Sequence, residues 1–255
     1  MNYFKDKIYY HHQAHRLFLL LFLLFFCSQI IFWYKTHRFR VEVEIVPEVI
    51  SRPATQILSL GDREFLFRTL AMNLQNMGDV FAGFVSLKKY DYQRIYQWAS
   101  RLDELNEQSR LVPSLVSYYY ANNDNQADLI FLVKYLDEHA SKNIDKNWWW
   151  MFQAIQIARI GVRDFDLALK LANKLASNNA IDAPLWTKQM PAFISKEKGD
   201  DCLAFQVINK ILIESENNTR PISVDEMNFM RYFIGERLKS LKQKKFDPRQ
   251  CIQKI

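Results

Sequence analysis

Glycine is scarce in this chain, with six among 255 residues, and proline occurs only seven times. So few residues suited to tight or left-handed turns argue against an all-β protein with many short strands. They also leave almost no material for glycine-rich loops that cradle phosphates. An HExxH pair, a Cys–x–x–Cys pair and a serine nucleophile between glycines are missing too. Carboxylates such as Asp103, Glu104 and Glu107 read as the polar face of a helix. The reading is therefore of a non-enzyme without cofactor or metal. Cysteine is limited to Cys27, Cys202 and Cys251. The last two have no metal or redox spacing; they could pair, but nothing in the sequence requires it. His11, His12 and His15 share helical i, i+3, i+4 spacing, but without a fourth ligand nearby they read as a juxtamembrane turn. A net charge of +6 is too small an excess to argue for nucleic acid.

What the chain has in quantity is apolar and aromatic side chain, 49% and 15% of residues. The densest run is LFLLLFLLFFCSQIIFWY, residues 17–34, which carries no charge and only Ser28 and Gln29 as strongly polar groups. A helix of that length just crosses a bilayer, and Trp33 and Tyr34 stand where an interfacial aromatic belt belongs. A cleavable signal peptide would end in a small-x-small site, but Phe26, Cys27, Ser28 and Gln29 lead back into apolar residues. Residues 17–34 are thus read as an uncleaved transmembrane anchor behind a basic tail, residues 1–16. The flanking positive charges tie, with Lys5, Lys7 and Arg16 on one side and Lys35, Arg38 and Arg40 on the other. The short N-terminal tail nevertheless matches a single-pass signal-anchor that exports the downstream domain.

Residues 35–59 read as an extended linker. The Val/Glu alternation of 41–45 has the period of a strand, and Pro47 and Pro53 forbid a helix interior. From residue 60 the pattern is helical and repeats every 36 residues. Asp128, Asp164 and Asp200 fall in register, as do Leu132, Ala168 and Ala204, and Trp150 matches Trp186. Each unit divides into a first helix (113–121, 147–160, 184–197), a polar turn, and a second helix (126–141, 165–177, 201–215). The aspartates are placed to cap the second helices. A looser earlier unit pairs 61–77 with 89–106, and residues 223–245 form a last helix.

This arrangement resembles the tetratricopeptide repeat (TPR) in hairpin length, in an early Trp of the first helix (Trp150, Trp186) and in a small residue opening the second (Ala168, Ala204). The period is 36 rather than the family's 34, no Gly–x–x–Tyr follows the Trp, and Pro191 interrupts a first helix. The resemblance implies an all-α fold. A TPR-like α-solenoid of about four hairpins would cover residues 60–216, followed by a basic capping helix and tail over 217–255. It also implies a scaffold that binds other proteins in a concave groove lined by first helices.

Aromatic residues crowd two of those helices. Tyr118, Tyr119 and Tyr120 are consecutive, and so are Trp148, Trp149 and Trp150, with Phe152 following. One apolar face cannot take three consecutive residues. Register places Tyr118 and Trp150 in the core, leaving Tyr119, Tyr120, Trp148, Trp149 and Phe152 as candidate groove contacts. In the last helix Tyr232, Phe233, Leu238 and Leu241 form an apolar stripe opposite Arg237, Lys239, Lys242, Lys244 and Lys245. Lys239, Lys242, Lys244 and Lys245 are a candidate anionic-surface patch. The expected function is a membrane-anchored protein-binding scaffold or assembly factor whose partner is another protein, with no small-molecule substrate and no nucleic acid. The alternatives are a non-catalytic accessory subunit docked through its span, and a lipid- or nucleic-acid-binding module using the lysine patch.

Overall fold

The computed structural model describes residues 2–37, 44–80, 83–216, 222–243 and 251, with side chains from residue 17 onward except at positions 80, 83, 84 and 216. The side chains of His11, His12 and His15, and residues 41–43 of the expected strand, lie outside that description. The chain divides into two units, Met1–Glu44 and Ile45–Ile255. The first holds one helix, α1 (Asn2–Thr36). Its part Leu17–Thr36 has a mean hydropathy of 2.3 and buries nothing within the chain. By length and composition it can cross a membrane. The hydroxyls of Ser28 and Thr36 donate to Phe25 O and Phe32 O of their own helix, at 2.8 and 2.7 Å.

The second unit begins earlier than a 35–59 linker allows. Val46 is buried, its carbonyl accepts from Arg94 Nη1 at 2.8 Å, and the Pro47 carbonyl accepts from the Trp98 indole at 2.9 Å. Helix α2 (Arg52–Leu58) comes next, opened by Ser51 as its cap. Pro53 does not prevent it, because in a first turn the absent N–H would have had no helical acceptor.

The rest is all-α apart from a minimal antiparallel ribbon, Asp79–Val80 against Gly83–Phe84. Helices α3 (Arg63–Gln75) and α4 (Tyr92–Leu105) flank that ribbon. Next come α5 (Leu111–Ser114), which runs on as a π-helix over Leu115–Tyr120, and α6 (Gln126–Lys142). Helix α7 (Ile144–Gln156) likewise continues as a π-helix over Ile157–Val162. The series ends with α8 (Phe165–Ala176), α9 (Trp186–Lys198), α10 (Asp201–Glu216) and α11 (Val224–Gln243). Helix α9 runs straight through Pro191, where the sequence pattern predicts an interruption.

Caps follow the aspartate register with one exception. Asp91, Asp164 and Asp200 accept from the backbone N–H groups of Arg94, Leu167 and Leu203 at 2.9–3.0 Å. At α6 the cap is Asn125, and Asp128 instead accepts from Asn123 Nδ2 at 3.0 Å. From α6 to α11 each helix packs on the next in sequence. Helices α8 and α9 run antiparallel: Asp166, opening α8, pairs with Lys198, closing α9, while Asn178, just past α8, bonds Thr187 near the start of α9 at 3.1 Å. Contacts also reach 36 or 37 residues along the chain, joining Lys88 to Asp124, Asp103 to His139, Asp137 to Lys174 and Asp201 to Arg237. Leu132, Ala168 and Ala204, in register by sequence, are all fully buried. Gly161 belongs to the same packing, since a Cβ there would come within 2.6 Å of Leu129 Cδ1. At the far end a disulfide joins Cys202 on α10 to the fully buried Cys251.

Candidate partner-binding face

Three helical segments bring aromatics together. The π-helix after α5 supplies Tyr118, while its exposed neighbour Tyr119 meets Tyr120 edge-on at 5.0 Å; α7 supplies Trp148, Trp149 and Phe152, and α9 supplies Trp186. The Trp149 indole donates to Tyr118 Oη at 2.8 Å, bridging the first two. Trp149 and Phe152 lie 5.4 Å apart, and Phe152 meets Trp186 edge-on at 4.7 Å. Trp148 sits edge-on to both Trp149 and Trp186, at 5.7 and 6.0 Å. These separations and inclinations are those that favour aromatic pairs. The surface is not closed over: Tyr118, Tyr119 and Trp149 remain 53%, 40% and 38% exposed, and Trp148, Phe152 and Trp186 are half-buried.

The structure corrects two of the sequence assignments here. Tyr120, expected in the groove, is fully buried, and its hydroxyl donates to Leu74 O at 2.5 Å. Tyr118, expected in the core, is the exposed member. A π-turn holds more residues than an α-turn, so the π-helix over Leu115–Tyr120 rotates these side chains away from the faces that a 3.6-residue period assigns. Trp150 is buried as its register implied, edge-on to Tyr118 at 6.4 Å. A kink at Asn147 (φ −108°, ψ 16°) precedes the triplet and is tied to α6 by Asn147 Nδ2 donating to His139 O at 3.3 Å. Trp148 therefore packs partly on the neighbouring hairpin through Trp186, whereas Trp149 faces outward.

The lysine patch is thinner than its sequence suggests. Lys239 pairs with Glu236 at 2.8 Å, Lys242 is exposed, and Lys244 and Lys245 lie outside the described residues. Arg237 turns inward to Asp201 at 3.0 Å, where Ser240 also donates. Of the apolar stripe, Phe233 and Leu241 are buried, but Tyr232 is 68% exposed.

One polar cluster is not visible in the sequence pattern. Asp103, assigned to a solvated face, is buried between α4 and α6. Its carboxylate accepts from Tyr135 Oη at 2.8 Å and lies 2.6 Å from His139 Nδ1, with Lys142 Nζ at 3.5 Å. Burial, then the neighbouring Asp103, push the Tyr135 phenol well above its ordinary pKa. The available signals were a 36-residue spacing from Asp103 to His139, and Tyr135 and His139 one turn apart on the apolar side of α6. Glu104 behaves as expected, pairing at the surface with Arg52 and Arg101 at 2.6 and 2.8 Å. A cavity of about 820 Å³ lies elsewhere, between α8, α9 and α10. Its Lys188 ammonium is bonded to the Ala176 carbonyl at 2.7 Å. No group of three or more His, Cys, Asp or Glu among the described residues is placed to hold a metal ion.

No protein-family model, curated protein or solved structure matches this chain.

Proposed function

We propose that the chain is a single-pass membrane protein whose helical domain is a TPR-like array that captures another protein through the aromatic face of its first helices. The observation that carries this reading is the continuity of that face. Tyr118, Trp149, Phe152 and Trp186, from three helices read as successive first helices, form a chain of contacts and still present open surface, with the exposed Tyr119 next to Tyr118 in sequence. Half-exposed Tyr and Trp on rigid helices offer large contact area with little side-chain entropy to lose, which is the composition of binding hot spots. The repeat reading is supported by the contacts spaced 36 and 37 residues apart and by the serial packing of the helices. The Cys202–Cys251 disulfide favours an oxidising compartment for the domain. That agrees with α1 acting as a signal-anchor that exports the domain behind it.

The test is a comparison of the full-length protein, purified in detergent with its bound partner, with the variant Tyr119→Ala/Trp149→Ala/Phe152→Ala. Because these side chains are partly exposed, the variant should keep its helical circular dichroism and its unfolding midpoint to within a few degrees. Its affinity for the isolated partner should fall about 10- to 100-fold, the loss of one or two hot spots. Unchanged affinity would show that the partner binds elsewhere.

A further inference from the structure

Away from its ends, the span of α1 carries one strongly polar side chain that its own helix does not satisfy. Ser28 and Thr36 bond to carbonyls one turn back, but the Gln29 carboxamide has no hydrogen-bond partner among the described residues. Gln29 lies 2.5 residues from the middle of Leu17–Thr36, about 4 Å along the axis, and about 10 Å from the nearer end. A carboxamide offers two donors and two acceptor sites. At that depth no water serves them, and the side chain is too short to reach the interface, so leaving them unmet is costly. Leu17–Thr36 is the one candidate span among the described residues, so a partner for the amide at that depth must come from another molecule.

We infer that the span pairs in parallel with the span of a second copy of this chain, through reciprocal hydrogen bonds between the two Gln29 side chains. The inference rests on the reading of α1 as a membrane anchor and is independent of the aromatic face. A copy is the fitting occupant for two reasons. The carboxamide is complementary to itself, its N–H donating to the other's C=O and the reverse, as an isologous two-fold contact requires. Two copies inserted with the same topology also carry Gln29 at the same depth without adjustment of register. At helical spacing Phe22, Phe25, Phe26, Phe32 and Trp33 share the Gln29 face, and all are more than half exposed, free to pack across the pair. Cys27 and Ile31, two positions away on either side, point to the opposite face.

The experiment uses the full-length chain in lipid vesicles, first extracted with alkaline carbonate. Release by carbonate would overturn the anchor and the pairing together. With the chain retained, oxidative cross-linking is run in a Cys27→Ser background, where Cys202 and Cys251 are already bonded to each other. Phe25→Cys, Phe26→Cys and Phe32→Cys should cross-link to dimers, while Leu20→Cys and Ile31→Cys should not. Energy transfer between labelled copies, diluted with lipid, should show Gln29→Leu weakening association about 3- to 20-fold, with Gln29→Asn retaining most of it. Retention in the membrane with equal cross-linking from both faces, with Gln29→Leu associating as wild type does, or with a monomer at every density would overturn the pairing while leaving the anchor in place.

Discussion

Asp103 shows how a single residue can be misplaced by composition and placed by packing. Buried against Tyr135 and His139, its carboxylate satisfies two side chains of a neighbouring helix at once. Replacing it with alanine would leave the Tyr135 hydroxyl and the His139 ring without that acceptor inside the core. Asp103→Ala is therefore expected to cost about 3–5 kcal/mol in urea unfolding. Changing all three together to Leu, Phe and Leu should recover most of that, because no polar group is then stranded. Recovery no better than the single variant would mean that the cluster does not act as a unit. The buried tyrosines set the alkaline limit. Burial, then Tyr119, pushes Tyr90 up to about 12, and burial raises Tyr92, Tyr120 and Tyr135 as well. A folded-state pKa above the unfolded value of about 10 means that the fold holds the neutral phenol more tightly. That stability is complete below about pH 10 and is lost as pH rises through the folded values. Helical ellipticity followed with phenolate absorbance should show unfolding and tyrosine ionisation occurring together above about pH 10. Phenolates of these buried residues appearing near that pH on an intact fold would contradict it.

At the scale of elements, helix positions were legible because amphipathic period, aspartate caps and a 36-residue repeat all point to the same segments. Asp164 and Asp200 cap where the repeat puts them, and Ala168 and Ala204 are buried where two helices approach. What was not legible arises where the backbone leaves the 3.6-residue period. The π-helix Leu115–Tyr120 exchanges the burial of Tyr118 and Tyr120, the reverse of what their register assigns. Trp186 was recognised as a repeat position but not as a member of the face, because its meeting with Trp148 and Phe152 depends on how α7 and α9 lie together. The Asp103–His139 contact was hidden for the same reason, and the Cys202–Cys251 pairing was left open, since each joins residues dozens apart. The disulfide closes a loop of 49 residues that takes in α11. Constraining such a loop stabilises by about 2–4 kcal/mol. The double variant Cys202→Ser/Cys251→Ser should thus lower the melting temperature by about 5–15 °C. An unchanged melting temperature would show that the bond contributes nothing to holding the C-terminal end.

For the whole molecule, a long apolar helix precedes a helical domain in which a cluster of partly exposed aromatics joins the π-helix after α5 to α7 and α9. We propose that the anchor sets where the domain works and the aromatic face sets what it holds. In this proposal the work done is binding, with specificity from shape and aromatic contact. The most direct measurement is site-specific photo-cross-linking in intact membranes, with a photoreactive residue at Trp149 compared with one at Lys170, which is exposed on α8. The prediction is a single heavier adduct from position 149, abolished by Tyr119→Ala/Phe152→Ala, and none from position 170. Equal adducts from both positions, or an adduct from 149 that survives those substitutions, would contradict capture of a partner by the aromatic face.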